Sequence, residues 1–243
     1  MTIDQIIALS ASVGAFLAAI ATFLTVRQMI QQREASYRPE LIISRTFFEG
    51  SKDPITKGEL PTHWVRKPIA DGEHDSLPVF SVPLINLGLG AAKNLAVQWS
   101  FPIEEMIKQV NDLAQRTLTP AYFDLKDGAM SIKSESLGSG TSMWKNQQQD
   151  SLDYVLPVAV SNVFCQLRLP LAFIQLSAAY LYLAAKDKDR KSIPDIPPIR
   201  AHLEYFDIGD KQHSADFDIS IQIIMFAGDG TFVNGYAESK KRV

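Results

Sequence analysis

The hydrophobic pattern changes character twice along the chain. Residues 6–26, IIALSASVGAFLAAIATFLTV, carry no charged side chain. At about 1.5 Å per residue, a helix of that length crosses a hydrocarbon core of roughly 30 Å. Asp4 is the sole charge before the apolar run, whereas Arg27, Arg33 and Arg38 follow it. A secretory signal has the reverse order, a positive leader and then a shorter apolar stretch. The pattern therefore predicts a transmembrane helix, with residues 1–26 forming a short external tail and the span. The positive-inside rule puts the Arg27 side in the cytoplasm. Residues 27–38 continue as a polar helical stalk, which Pro39 ends by biasing the residue before it away from helix. Arg27, Arg33 and Arg38 stand at the level of lipid headgroups, where anionic lipid attracts them.

Within the span the residues sort by size. At about 100° per position, Ile6, Leu9, Val13, Phe16, Leu17, Ile20, Phe23 and Leu24 fall on one side. Ser10, Gly14, Ala18 and Thr22 form a ridge opposite, with Ala11, Ala15 and Ala19 beside it. Small residues four apart let two membrane helices approach closely. This face is expected to pack against another helix, from a second copy of the chain, giving a homo-oligomer, or from a partner.

From residue 39 to 243 the period shifts toward alternation. Residues 40–48, ELIISRTFF, read as a first strand and 51–76 as a long polar loop. Residues 79–87 and 94–101 read as a hairpin, with Leu95, Val97, Trp99 and Phe101 on the buried face. Pro102 then opens an amphipathic helix through residue 116, with Glu104 and Glu105 in its first turn. Residues 117–150 give a weak signal, and 137–142 read as a flexible loop. Strands are expected in 154–169. Residues 170–185 are apolar but too short to span a bilayer, so a buried core segment is expected there. Ile199, Ala201, Leu203 and Tyr205 alternate with polar neighbours. After a turn at 208–211, Phe217, Ile219, Ile221, Ile223 and Met225 share one face of a return strand. Antiparallel strands with few helices favour a mainly β domain, an immunoglobulin-like antiparallel β-sandwich with one or two inserted helices.

Composition narrows the chemistry. Twenty-four basic against 27 acidic residues leave a net charge of −3 in 243 residues. That balance argues against nucleic acid as a partner, because phosphate binding needs a concentrated basic surface. The one cysteine, Cys165, lies in an apolar run and reads as a buried small hydrophobe. Residues 88–94, GLGAAKN, lack the spacing, hydroxyl residue and following helix of a phosphate loop, so a turn is expected. His63, His74, His202 and His213 show no helical zinc spacing. Asp71, Glu73, His74 and Asp75 read as a solvated acidic loop, Gly228-Asp229-Gly230 as a turn, and Lys240-Lys241-Arg242 as a solvated tail. No serine elbow is present. The expectation is no catalytic residue, no cofactor and no metal.

Three stretches carry a resemblance. They are Ser36-Tyr37-Arg38-Pro39-Glu40-Leu41-Ile42-Ile43, Asn86-Leu87-Gly88-Leu89-Gly90-Ala91-Ala92-Lys93-Asn94-Leu95 and Tyr205-Phe206-Asp207-Ile208-Gly209. Together they resemble uncharacterised bacterial single-pass membrane proteins that join one helix to a C-terminal immunoglobulin-like β-sandwich. In the third stretch the usual pattern has glycine one position later. The resemblance implies a bacterial inner membrane and the fold, but no activity. The expected function is a membrane-anchored, non-enzymatic interaction or sensing module. It self-associates through its helix, touches membrane lipid and has an unknown protein partner. The alternative is a membrane-disrupting effector of a bacterial defence or toxin system, triggered through the cytoplasmic domain.

Overall fold

A computed structural model describes residues 3–52, 58–67, 80–134, 137–161, 163–189, 195–227 and 229–242. It begins with one continuous helix, α1 (Ile3–Ser36). Most of the expected external tail is thus the first helical turn, and the stalk extends the same helix. Tyr37 closes it, its backbone N–H donating to the Arg33 carbonyl at 3.0 Å.

The remainder is mainly β, built from antiparallel sheets. Residues 40–48, expected as one strand, form two: β1 (Leu41–Ile43) and β2 (Thr46–Ser51). The chain changes sheets at Ser44-Arg45, which ends one ladder and starts another. A strand, β3 (His63–Lys67), falls within the expected long loop. Next come β4 (Ser81–Asn86) and β5 (Ala92–Ser100). These do not pair as a hairpin. β4 lies between β1 and β10 (Cys165–Arg168), while β5 lies between β11 (Ile199–Phe206) and β9 (Gln149–Val155). Their connection crosses from one sheet to the other.

Helix α2 (Ile103–Arg116) is amphipathic as its spacing requires, burying Ile103, Met106, Ile107, Val110 and Leu113. The weak-signal region holds a small sheet of β6 (Ala121–Lys126), β7 (Ala129–Ser134) and β8 (Gly140–Ser142), then the single-turn α3 (Trp144–Gln147). The β6–β7 turn is Asp127-Gly128, both at positive φ (54° and 79°), a favoured two-residue hairpin turn. The apolar segment after Pro170 is α4 (Leu171–Lys186), sunk in the domain with Phe173, Ile174, Leu176 and Leu183 buried.

The large sheet runs β3-β2-β13-β12-β11-β5-β9, completed by β12 (Gln212–Phe226) and β13 (Val233–Lys241). On β12, Phe217, Ile219 and Ile221 face the core, but a register shift after Ile223 turns Met225 outward. The expected basic tail is mostly strand: Lys240 pairs with Asp218, and the Arg242 guanidinium bridges to the Asp218 carboxylate at 3.2 Å. One apolar core joins the three sheets, α2 and α4. Phe80, just before β4, packs at 5.3 Å on Phe48 of the large sheet, and Phe48 stacks on Trp64 at 4.3 Å.

Candidate functional site: the joint between helix and domain

The proposed helix face is presented outward. Ser10, Gly14, Ala18, Thr22, Ala11, Ala15 and Ala19 are all exposed. The Ser10 hydroxyl donates to the Ile7 carbonyl at 2.9 Å and Thr22 to that of Ala18 at 2.9 Å. Both hydroxyls are thereby satisfied within the helix, as a lipid or helix-packing surface requires. Arg27 is exposed about one and a half turns below Thr22, and Arg33 and Arg38 are exposed at the helix base. The Arg33 guanidinium lies 5.9 Å from the Tyr37 ring centre.

Where α1 meets the domain, one side chain organises the crossing. Asn86 ends β4 on the inward face shared with Val82 and Leu84, where alternation calls for an apolar residue. It is 1% exposed. Its Oδ1 accepts from the backbone N–H groups of Glu40 (3.1 Å) and Gly88 (3.0 Å). Its Nδ2 donates to the carbonyls of Gly90 (2.7 Å) and Val155 (3.1 Å). Both ends of the amide are therefore engaged, and three segments are tied to the exit of the stalk. Sequence reasoning passed over Asn86. The available signal was a polar residue on an otherwise apolar strand face.

The glycines of the adjoining loop have a steric reason. A Cβ on Gly88 would lie 2.2 Å from the Arg38 carbonyl oxygen, and one on Gly90 would lie 1.8 Å from that of Tyr37. The stalk backbone crosses directly over this loop, and only glycine leaves room. The loop then runs into β5 rather than a helix, so no phosphate cradle forms there.

Beside this crossing is an open cleft of about 1210 Å³, lined by Ile30, Arg33, Tyr37 and Arg38 and by the β11–β12 turn. In that turn Asp207 Oδ1 accepts from the N–H groups of Gly209 (2.8 Å) and Lys211 (3.0 Å). Its Oδ2 lies 2.8 Å from His213 Nε2, and the His213 ring stacks on Tyr205 at 5.6 Å. Burial works to raise the Asp207 carboxyl, but the bonds from His213, Lys211 and Gly209 outweigh it and hold it below the usual range. Burial pushes the Tyr205 hydroxyl up. The left-handed residue of the turn is Asp210 (φ 62°), not Gly209. Asp210 carries an ion pair to Lys93 at 2.7 Å. With Asp207 engaged, Arg33, Arg38 and Lys211 give the cleft a cationic wall beside apolar Ile30 and Ile208. Such a wall suits an anionic, partly apolar ligand.

Elsewhere, a smaller groove of about 550 Å³ on the outer face of the large sheet holds His202. Its Nδ1 lies 3.0 Å from Asp216 and its Nε2 3.4 Å from Glu204. The Asp216 bond leads in raising its pKa, against burial and with help from Glu204. Cys165 is half-buried rather than enclosed, and burial raises its thiol above the ordinary value. His63 opens β3; Asp71, Glu73, His74 and Asp75 lie outside the described residues. Among the described residues no cluster has the geometry to hold a metal ion.

Comparison with protein-family models, curated proteins and solved structures finds no match for the chain.

Proposed function

We propose that the chain is a membrane-anchored, non-enzymatic interaction or sensing module whose immunoglobulin-like domain sits on the cytoplasmic face of a bacterial inner membrane. The observation that carries this reading is α1. Its segment Ile3–Arg33 includes an 18-residue stretch of mean hydropathy 2.2, none of it buried by the domain. An exposed helix of that length and apolarity is costly in water and favourable in a bilayer. The arginines on its domain side support the orientation, and the resemblance to single-helix bacterial proteins supports the compartment.

The helix pairs with a second copy through Ser10, Gly14, Ala18 and Thr22, flanked by Ala11, Ala15 and Ala19. Its partners are thus membrane lipid, another copy of the chain and a protein bound by the domain. Cysteine crosslinking of the full chain in membranes tests the pairing. Crosslinked dimers are expected for the native helix and are lost in Gly14→Ile/Ala18→Ile; equal crosslinking in both would refute it. Expressing the same pair separates the effector reading. Growth arrest and depolarisation by the native chain alone would make α1 a membrane-disrupting element.

A further inference from the structure

Three connections close on the side of the domain from which α1 departs: residues 87–91, the described residues 156–161 and 163–164, and 207–211. Strand register brings them together. Leu41 opposes Asn86, Ala92 opposes Val155, and Phe206 opposes Lys93. Loop tips are ordinarily polar, yet these display Leu87, Leu89, Val160, Val163, Phe164 and Ile208, with Val160 70% and Val163 83% exposed. Apolar side chains gathered at one end of a domain mark an interaction surface.

We propose that this end of the domain lies on the bilayer, its apolar tips in the interface and Arg33, Arg38 and Lys211 against anionic headgroups. The inference rests on the membrane reading of α1. The occupant is lipid because the membrane-length helix leaves through the same end, so the bilayer is the nearest surface available to the tips. Ile30 and Ile208 line one cleft. Ile30 is three residues past Arg27, about 4.5 Å along the helix axis. The cations beside the tips match an anionic cytoplasmic leaflet. Two carboxylates of the adjoining turn are already engaged, Asp207 with His213 and Asp210 with Lys93.

The test uses the full chain carrying Cys165→Ser, with one new cysteine at Leu89→Cys, Val163→Cys or Ile208→Cys bearing an environment-sensitive fluorophore. Ile224→Cys is the control. It lies twelve residues beyond Gln212 on β12, about 40 Å away at strand rise. The proteins are reconstituted into phosphatidylglycerol/phosphatidylcholine vesicles containing spin-labelled lipid. Emission is expected to be lost at the three tips and kept at Ile224. A smaller loss is expected in vesicles of phosphatidylcholine alone. If the chain does not float with vesicles, the anchor reading fails and takes this inference with it. If it floats but the tips keep their emission, the inference alone is overturned. Tips shielded from aqueous iodide yet unquenched by lipid would assign the surface to protein instead. Equal loss in neutral vesicles would remove the headgroup contacts.

Discussion

Helices α1 and α4 are both apolar, and they end in opposite surroundings. Every described side chain of α1 through Arg33 is exposed, whereas Phe173, Ile174, Leu176 and Leu181 of α4 are buried. α4 has 16 residues, too few to cross a bilayer, and it is enclosed by the domain's own core. α1 has 34 residues and leaves the domain through a single crossing. Length and available neighbours, rather than apolarity, decide which solvent each helix uses. The same large side chain should therefore matter to domain stability in one helix and not in the other.

The largest effect expected is at Phe173, which meets Phe101 edge-on at 5.0 Å in the core. Phe173→Ala should cost about 3–5 kcal/mol. Denaturation in micelles reads this directly through Trp64, Trp99 and Trp144, all buried in the domain. Phe16→Ala on the exposed face of α1 should leave that transition where it was; a comparable loss would mean that α1 packs on the domain.

At the crossing between the two regimes, Asn86→Ala leaves the groups it bonded without their partner. The expected cost is roughly 1–3 kcal/mol. An unchanged midpoint would show that the stalk exit contributes nothing to the fold.

Asp207→Asn should cost on the order of 1 kcal/mol at neutral pH, with a defined pH dependence. The folded carboxyl lies below its unfolded value. Its contribution is complete above the unfolded value, about 3.9, and is lost as pH falls through the lower folded value. Wild-type and variant midpoints should therefore converge in acid; a constant gap would contradict the bonding assigned to this turn. The smallest effect is at Asp210. Asp210→Gly relieves a left-handed backbone but loses an exposed ion pair and frees the unfolded chain, so its midpoint should shift by less than about 0.5 kcal/mol.

How much of this was legible in the sequence varied by element. The extent of α1, the faces of β5 and β11 and the burial of α4 follow from local periodicity, which a single segment carries. Pairing does not, because it depends on which strands meet in space. Hence β4 and β5 looked like a hairpin although their ladders belong to different sheets. Strand β13 was hidden for another reason. Beyond Ala237, its last pairing with β2, its outer edge is open, so Glu238, Lys240 and Lys241 occupy strand positions while solvated. The Asp127-Gly128 turn was readable, since Ala121, Phe123 and Leu125 before it and Met130 and Ile132 after it alternate with other side chains. At the joint the three arginines could be read from charge order. The turn after β11 was readable as a turn, and the bonds of Asp207 lie within it. Asn86 shows in the sequence only as a polar residue on an apolar strand face, because its partners Glu40 and Val155 are far away in the chain.

The central claim is that α1 is a membrane anchor, and alkaline carbonate extraction of membranes from cells expressing the full chain tests it most directly. The account predicts that the protein stays in the membrane pellet with its domain folded. Release of folded protein into the supernatant would contradict it.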